Sequence, residues 1–228
     1  MNQLEDVRTV DPFPPYDAEL TRMREHLRGL DVAGWRAASH CEGWSVKDVV
    51  AHLAAGEAYN QACLEGTQRE LTFSGGIDAW NARAVAERRP RAPGEVLQEW
   101  AERQADVRER WGRLGVDATI PTSVGPYPLR LQVWHLAQEY ATHADDIGVL
   151  VPDQEREARL RWRCAFGLFA RDEGGRPLQA RMEDGGVVLE GGHELDPESF
   201  LALLTERPQH LADALKRQRV EALLRDSR

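Results

Sequence analysis

Three of the chain's side chains stand out by type and spacing as candidates for chemistry. His52 lies three residues after Val49, four before Gly56 and beside Leu53, on the apolar stripe of its segment. Glu139 and His143 are spaced i, i+4, so both project from one face of a helix. At about 100° per residue, Val133, Leu136, Tyr140 and Ile147 share one apolar arc. His143 falls about 20° off the edge of that arc, Glu139 about 60° and His135 about 100°. His143 is thus expected to face inward, Glu139 to flank the interior and His135 to point to solvent. An ionised glutamate brought into a helical core is costly unless it is paired or bound to a metal. A Glu-x-x-x-His stripe facing a third ligand on another helix is one way for a bundle to build a metal site. A hydrogen-bonded core pair fits the same spacing. The pattern recurs at Glu206 and His210, where Pro208 interrupts it, so spacing alone does not choose between the two.

Helices must position these residues, and helical periodicity dominates the first 150 residues. Asp17 to Leu30 carries Leu20, Met23, Leu27 and Leu30 on one stripe. Ser45 opens a second helix as N-cap, with Asp48 completing a capping-box pair, and this helix runs toward Gly66. A loop over Thr67 to Gly76 leads to a shorter helix, Ile77 to Glu87. Pro93-Gly94 starts a long helix through Trp100 and Trp111. Val116 to Pro128 reads as a long loop, and such loops are often functional. Leu129 to Leu150 is the last long helix. Four long helices with these connections predict a four-helix bundle over residues 1–150. Beyond Val151-Pro152-Asp153 the pattern predicts a small α+β domain over 154–228. Its elements are a basic helix over Ala158 to Ala170, a hairpin turning at Glu183-Asp184-Gly185-Gly186, a helix opened by Asp196-Pro197 and a terminal helix, Leu211 to Leu224. The expected fold class is mainly α.

Composition bounds the partners. The 228 residues carry a formal net charge of -9, and the short basic clusters at Arg88 to Arg91 and Lys216 to Arg219 read as solvated faces. This balance argues against nucleic acid, whose binding needs a basic stripe. No apolar run approaches the roughly 20 residues of a membrane span, and the acidic Met1 to Val10 stretch lacks the features of a signal peptide. Cys41, Cys63 and Cys164 are scattered, with no CxxC pair, so neither a disulfide scaffold nor a cysteine zinc site is expected. A reducing cytoplasm is the expected compartment.

Trp35 and the run Cys41-Glu42-Gly43-Trp44-Ser45-Val46-Lys47-Asp48-Val49-Val50-Ala51-His52-Leu53 resemble the signature of the mycothiol-dependent maleylpyruvate isomerase family, within the DinB-like metal-binding bundle superfamily. Glu139, His143 and Asp146 resemble its second hallmark, Glu-x-x-x-His-x-x-Asp on the last bundle helix. Ile77 to Arg83 resembles its mid-bundle segment, and Leu201 to Arg207 its Leu-rich, Arg-terminated run. The family usually has glycine before that arginine, where this chain has Glu206. The resemblance implies a DinB-like four-helix bundle with His52, Glu139 and His143 as zinc ligands. Two imidazoles and one carboxylate suit Zn²⁺ and leave a position open, as catalytic sites do. Asp146 then reads either as an acceptor for an imidazole N–H or as a surface carboxylate near the helix end. His135 reads as a solvent-edge histidine, with a fourth ligand or substrate contact as the alternative. Cys63 reads as a buried, inert thiol.

The function so implied is that of a zinc-dependent enzyme using a low-molecular-weight thiol, mycothiol above all, on a small electrophilic substrate. Metal binding deprotonates a thiol, and its addition to an activated alkene gives cis–trans isomerisation if the thiol is expelled again, S-transfer if it is not. Arg207 is the candidate catalytic residue, its guanidinium suited to a substrate carboxylate. It reads equally as a surface ion pair with Glu206 or a nearby acid. The alternative is a metal-dependent hydrolase, or a non-catalytic metal- or small-molecule-binding protein of the same fold.

Overall fold

The computed structural model describes residues 4–71, 74–183 and 186–226. In chain order the first elements are α1 (Phe13–Arg28), α2 (Val32–Arg36), α3 (Val46–Glu65), α4 (Gly76–Arg88) and α5 (Pro93–Leu114). Ser45 caps α3 as its sequence predicts: its side chain accepts from the Asp48 N–H while the Asp48 carboxylate accepts from the Ser45 N–H. Gly66, at φ 75, closes the helix in the left-handed conformation that glycine adopts without a Cβ clash. Of the expected Thr67 to Gly76 loop, residues 72–73 lie outside the described residues.

Backbone proximity groups the chain into two compact units that do not follow its linear order. One comprises Leu20–Val133 and Asp146–Val149. Within it α3 packs against α4 and α5, burying Val49, Val50, Leu53, Val96, Trp100, Val107 and Trp111. The segment Val116 to Pro128, expected as a loop, holds a hairpin instead. β1 (Thr119–Thr122) pairs antiparallel with β2 (Gly125–Pro128), Thr119 facing Pro128 and Thr122 facing Gly125. Three prolines and two four-residue strands hide the period-two signal, yet a two-stranded ribbon has outer edges where a missing N–H is tolerated. α6 follows at once (Leu129–Asp146), ending four residues before the expected Leu150. Gly148, at φ 75, lies where the helix would have continued.

The other unit comprises Met1–Glu19, Trp134–Asp145 and Leu150–Arg228. Its α7 (Asp153–Glu173) is longer at both ends than its periodicity predicts. Two of the arginines that make this segment so basic enter buried pairs, while Arg161 is exposed. Arg159 meets Glu19 at 2.7 Å and Asp145 at 2.9 Å, and Arg163 also pairs with Asp145. A sheet of β3 (Ala180–Glu183), β4 (Gly186–Leu189) and β5 (Glu194–Leu195) runs antiparallel in that order. The expected Asp184-Gly185 turn lies outside the described residues. Asp196 caps α8 (Pro197–Leu204) by accepting from the Ser199 N–H, and α9 (Ala214–Asp226) is the last element among the described residues. Cys164, Val187, Leu195, Phe200, Leu203 and Val220 form this unit's local core. The fold is mainly α with small antiparallel sheets, the class the periodicity predicts. Among the described residues no helix is long and apolar enough to cross a membrane.

Candidate metal centre

His52 sits on the buried stripe of α3 with 9% of its surface exposed. The run before α3 is folded into a tight turn for its sake. Ser39 donates its backbone N–H and its hydroxyl to the Trp44 carbonyl at 3.0 and 2.9 Å. The Trp44 N–H returns to the Cys41 carbonyl at 3.0 Å. Gly43 takes φ 74 in this turn, which a side chain would strain. The turn lays the Trp44 indole against the His52 ring, centroids 5.3 Å apart, so the imidazole is held from one side.

On α6, His143 is buried and its Nε2 lies 3.3 Å from Glu139 Oε1, while the Glu139 side chain keeps 43% of its exposure. The inward histidine and the flanking glutamate thus stand as helical winding predicts. Asp146, at 2% exposure, is no surface carboxylate. It accepts from the Cys41 thiol at 3.1 Å, and its backbone carbonyl accepts from the His40 N–H at 2.9 Å.

Each helix thus holds its own donors: a buried imidazole at His52 on α3, and a buried imidazole at His143 beside the Glu139 carboxylate on α6. Imidazole and carboxylate are the donor types that a divalent ion such as zinc takes.

His135 stands at the solvent edge that the arc of α6 predicts, its side chain 38% exposed. Its Nε2 lies 2.9 Å from Glu173 Oε2, and its ring meets Phe166 edge-on at 4.9 Å. Winding one helix cannot reveal these partners, which α7 supplies. Cys63 is fully buried, and burial pushes its thiol pKa up, which the Tyr59 hydroxyl only partly offsets. An inert thiol is the result. Arg207 opens a short 3-10 turn, its N–H bonded to the Ala202 carbonyl at 2.9 Å. Before it, Glu206 is held at φ 54. That is the conformation glycine favours, and it accounts for the glycine expected there. The Glu206 carboxylate lies 3.1 Å from Arg176 and 3.7 Å from Arg171. The contact spacing did not reveal is Cys41 to Asp146, although both residues lie in the two motifs.

Residues 16–148 match the family described as Mycothiol maleylpyruvate isomerase N-terminal domain. Among solved structures, a mycothiol-dependent maleylpyruvate isomerase is similar at TM-score 0.64 and 15% identity, over 90% of this chain and 92% of that one. A histidine-to-alanine mutant of a mycothiol-dependent maleylpyruvate isomerase is similar at TM-score 0.58 and 15% identity, over 85% of this chain and 99% of that one. Among curated proteins no sequence matches. At this identity the solved structures establish the shared fold. The family match covers more than half of the residues, and the chain belongs to the mycothiol maleylpyruvate isomerase N-terminal domain family.

Proposed function

We propose that this protein is a zinc-dependent enzyme that uses a low-molecular-weight thiol, mycothiol in the first place, for cis–trans isomerisation of, or S-transfer to, a small electrophile. The observation that carries this reading is the family match over residues 16–148, which spans both the buried His52 of α3 and the Glu139–His143 pair of α6. Bound there, a divalent ion would lower the pKa of a coordinated thiol and supply a thiolate at neutral pH. The chain's own part is to hold the donors. The Trp44 ring fixes the tilt of His52, and the rigid turn of α6 between Glu139 and His143 fixes their separation. Arg207 is assigned to a carboxylate of the substrate, for which a guanidinium fork is suited.

Elemental analysis and turnover test the reading together. One zinc per chain is expected, absent in His52→Ala and retained in His135→Ala. Conversion of an electron-poor alkene should require both metal and thiol. Its rate should fall less steeply below pH 8 than that of the uncatalysed thiol reaction, because the reacting sulfur is already ionised. Turnover in metal-free protein, or with metal and water but no thiol, would replace this reading with a hydrolase or binding role.

A further inference from the structure

The basic run Arg88 to Arg91 does more than face solvent. Arg88 and Arg91 both meet Glu99, and Arg89 Nε lies 3.2 Å from Asp48 Oδ1. With α2 and the first turns of α3 and α5, the stretch from Arg89 to Pro93 walls a cavity of about 620 Å³. That is the size of a small-molecule site. Every wall residue belongs to the unit that holds α3, α4 and α5, and His52 is not one of them.

The walls are of two kinds. Val32, Trp35, Pro90 and Pro93 supply apolar surface, Val32 with 67% of its own surface exposed. Opposed to the single carboxylate of Asp48 stand Arg36, Lys47, Arg89 and Arg91. Asp48 is already engaged: it accepts from the Ser45 N–H and hydroxyl, both at 3.0 Å, and from Arg89. Lys47 Nζ donates to the Arg89 and Arg91 carbonyls at 2.6 and 3.1 Å, which leaves one of its three N–H donors. The Arg36 guanidinium meets no acid and no acceptor among the described residues. With Arg89 on Asp48 and Arg91 on Glu99, the charges of Arg36 and Lys47 stand without a carboxylate, in a chain of net charge -9. The positive ends of two long helices, α3 capped at Ser45 and α5 at Ala92, add to the same field.

We propose that this cavity is a binding site, separate from His52, for an organic monocarboxylate with an aromatic body. Arg36 takes the carboxylate in its fork, Lys47 adds its remaining N–H, and the ring rests against Trp35 and Pro93. A monoanion is favoured over a phosphate dianion because the Asp48 carboxylate shares the wall and repels further negative charge.

Isothermal titration with 2-naphthoate, and with 2-naphthamide as its neutral isostere, tests this. Wild type should bind the acid about tenfold more tightly than the amide, the difference a charged hydrogen-bond pair makes. Arg36→Gln should weaken naphthoate by about tenfold and leave the amide unchanged. Because Arg36 is exposed, the melting temperature should not move. Zinc-loaded and zinc-free protein should bind naphthoate alike, since His52 does not line the cavity. Naphthoate binding that is absent, no tighter than the amide's, or unchanged by Arg36→Gln overturns the inference. Binding that requires zinc places the carboxylate on the metal and overturns it as well. Should Arg36→Gln melt lower than wild type, Arg36→Lys carries the test, keeping the charge without the fork. A loss confined to naphthoate then supports the site, and no loss overturns it.

Discussion

At the scale of single residues, the three proposed ligands differ in what holds them. His52 and His143 are enclosed, whereas the Glu139 side chain keeps 43% of its exposure and its charge is partly solvated. Glu139→Gln keeps the shape and removes the negative donor. We expect it to lower metal affinity by at least the roughly 10–100-fold that follows loss of a mere outer-shell partner. The metal-free melting point should move by no more than about 0.5 kcal/mol of stability, as for other exposed substitutions. Chelator competition and thermal melting measure the two effects separately. The inward turn of His143 was legible because it depends only on the winding of its own helix. The partners of His135 were not, because Phe166 and Glu173 reach it from a segment some 30 residues on.

At the scale of elements, two glycines with the same helical setting should respond oppositely to alanine. Gly56→Ala fills empty space and removes backbone freedom from the unfolded chain, so it should stabilise by about 0.4–1 kcal/mol. Gly167→Ala sets a Cβ 3.0 Å from Leu204 where α7 packs on α8. Overpacking of about 1–3 kcal/mol should exceed the same propensity gain and leave a net loss. Urea unfolding of both variants checks the sign. α5 offers a pH test. Glu99 meets Arg88 at 2.8 Å, Arg103 at 3.0 Å and also Arg91. Burial opposes its ionisation, but the three guanidiniums outweigh it and hold the carboxyl at about 2, below its ordinary 4.5. A folded pKa below the unfolded one gives stability that is complete above pH 4.5 and is lost as pH falls through about 2. Glu99→Gln should therefore be about 2 kcal/mol less stable at pH 7, with the gap closing across that window.

At the scale of the whole molecule, the buried cluster of Glu19, Asp145, Arg159 and Arg163 ties together segments far apart in sequence. Burial alone would raise the Asp145 pKa, yet Arg163 and Arg159 hold it below the ordinary range, so the cluster stays charged. Removing one side of such a network leaves charge buried without its partner, at about 3–5 kcal/mol. A fragment of residues 1–150 should thus lack the cooperative melting of the full chain. We propose that the boundary expected near residue 150 survives as a cleavage site: Leu150 is 84% exposed, and limited proteolysis there should give fragments that stay associated. Sequence alone determined whatever depends on near neighbours along the chain. That includes the helical stripes, the Ser45–Asp48 cap, the left-handed stop at Gly66 and the two ligand motifs, because winding and capping are settled within a few residues. Tertiary structure alone decided what depends on which distant surfaces meet. It drew Arg159 and Arg163 of α7 into buried pairs with Glu19 and Asp145, paired a proline-rich loop into a hairpin and gave His135 its partners on α7. It also separated Gly167, which must be small, from Gly56, which has room to spare. A pattern in one segment states which face is apolar; the neighbour that covers it comes from elsewhere in the chain.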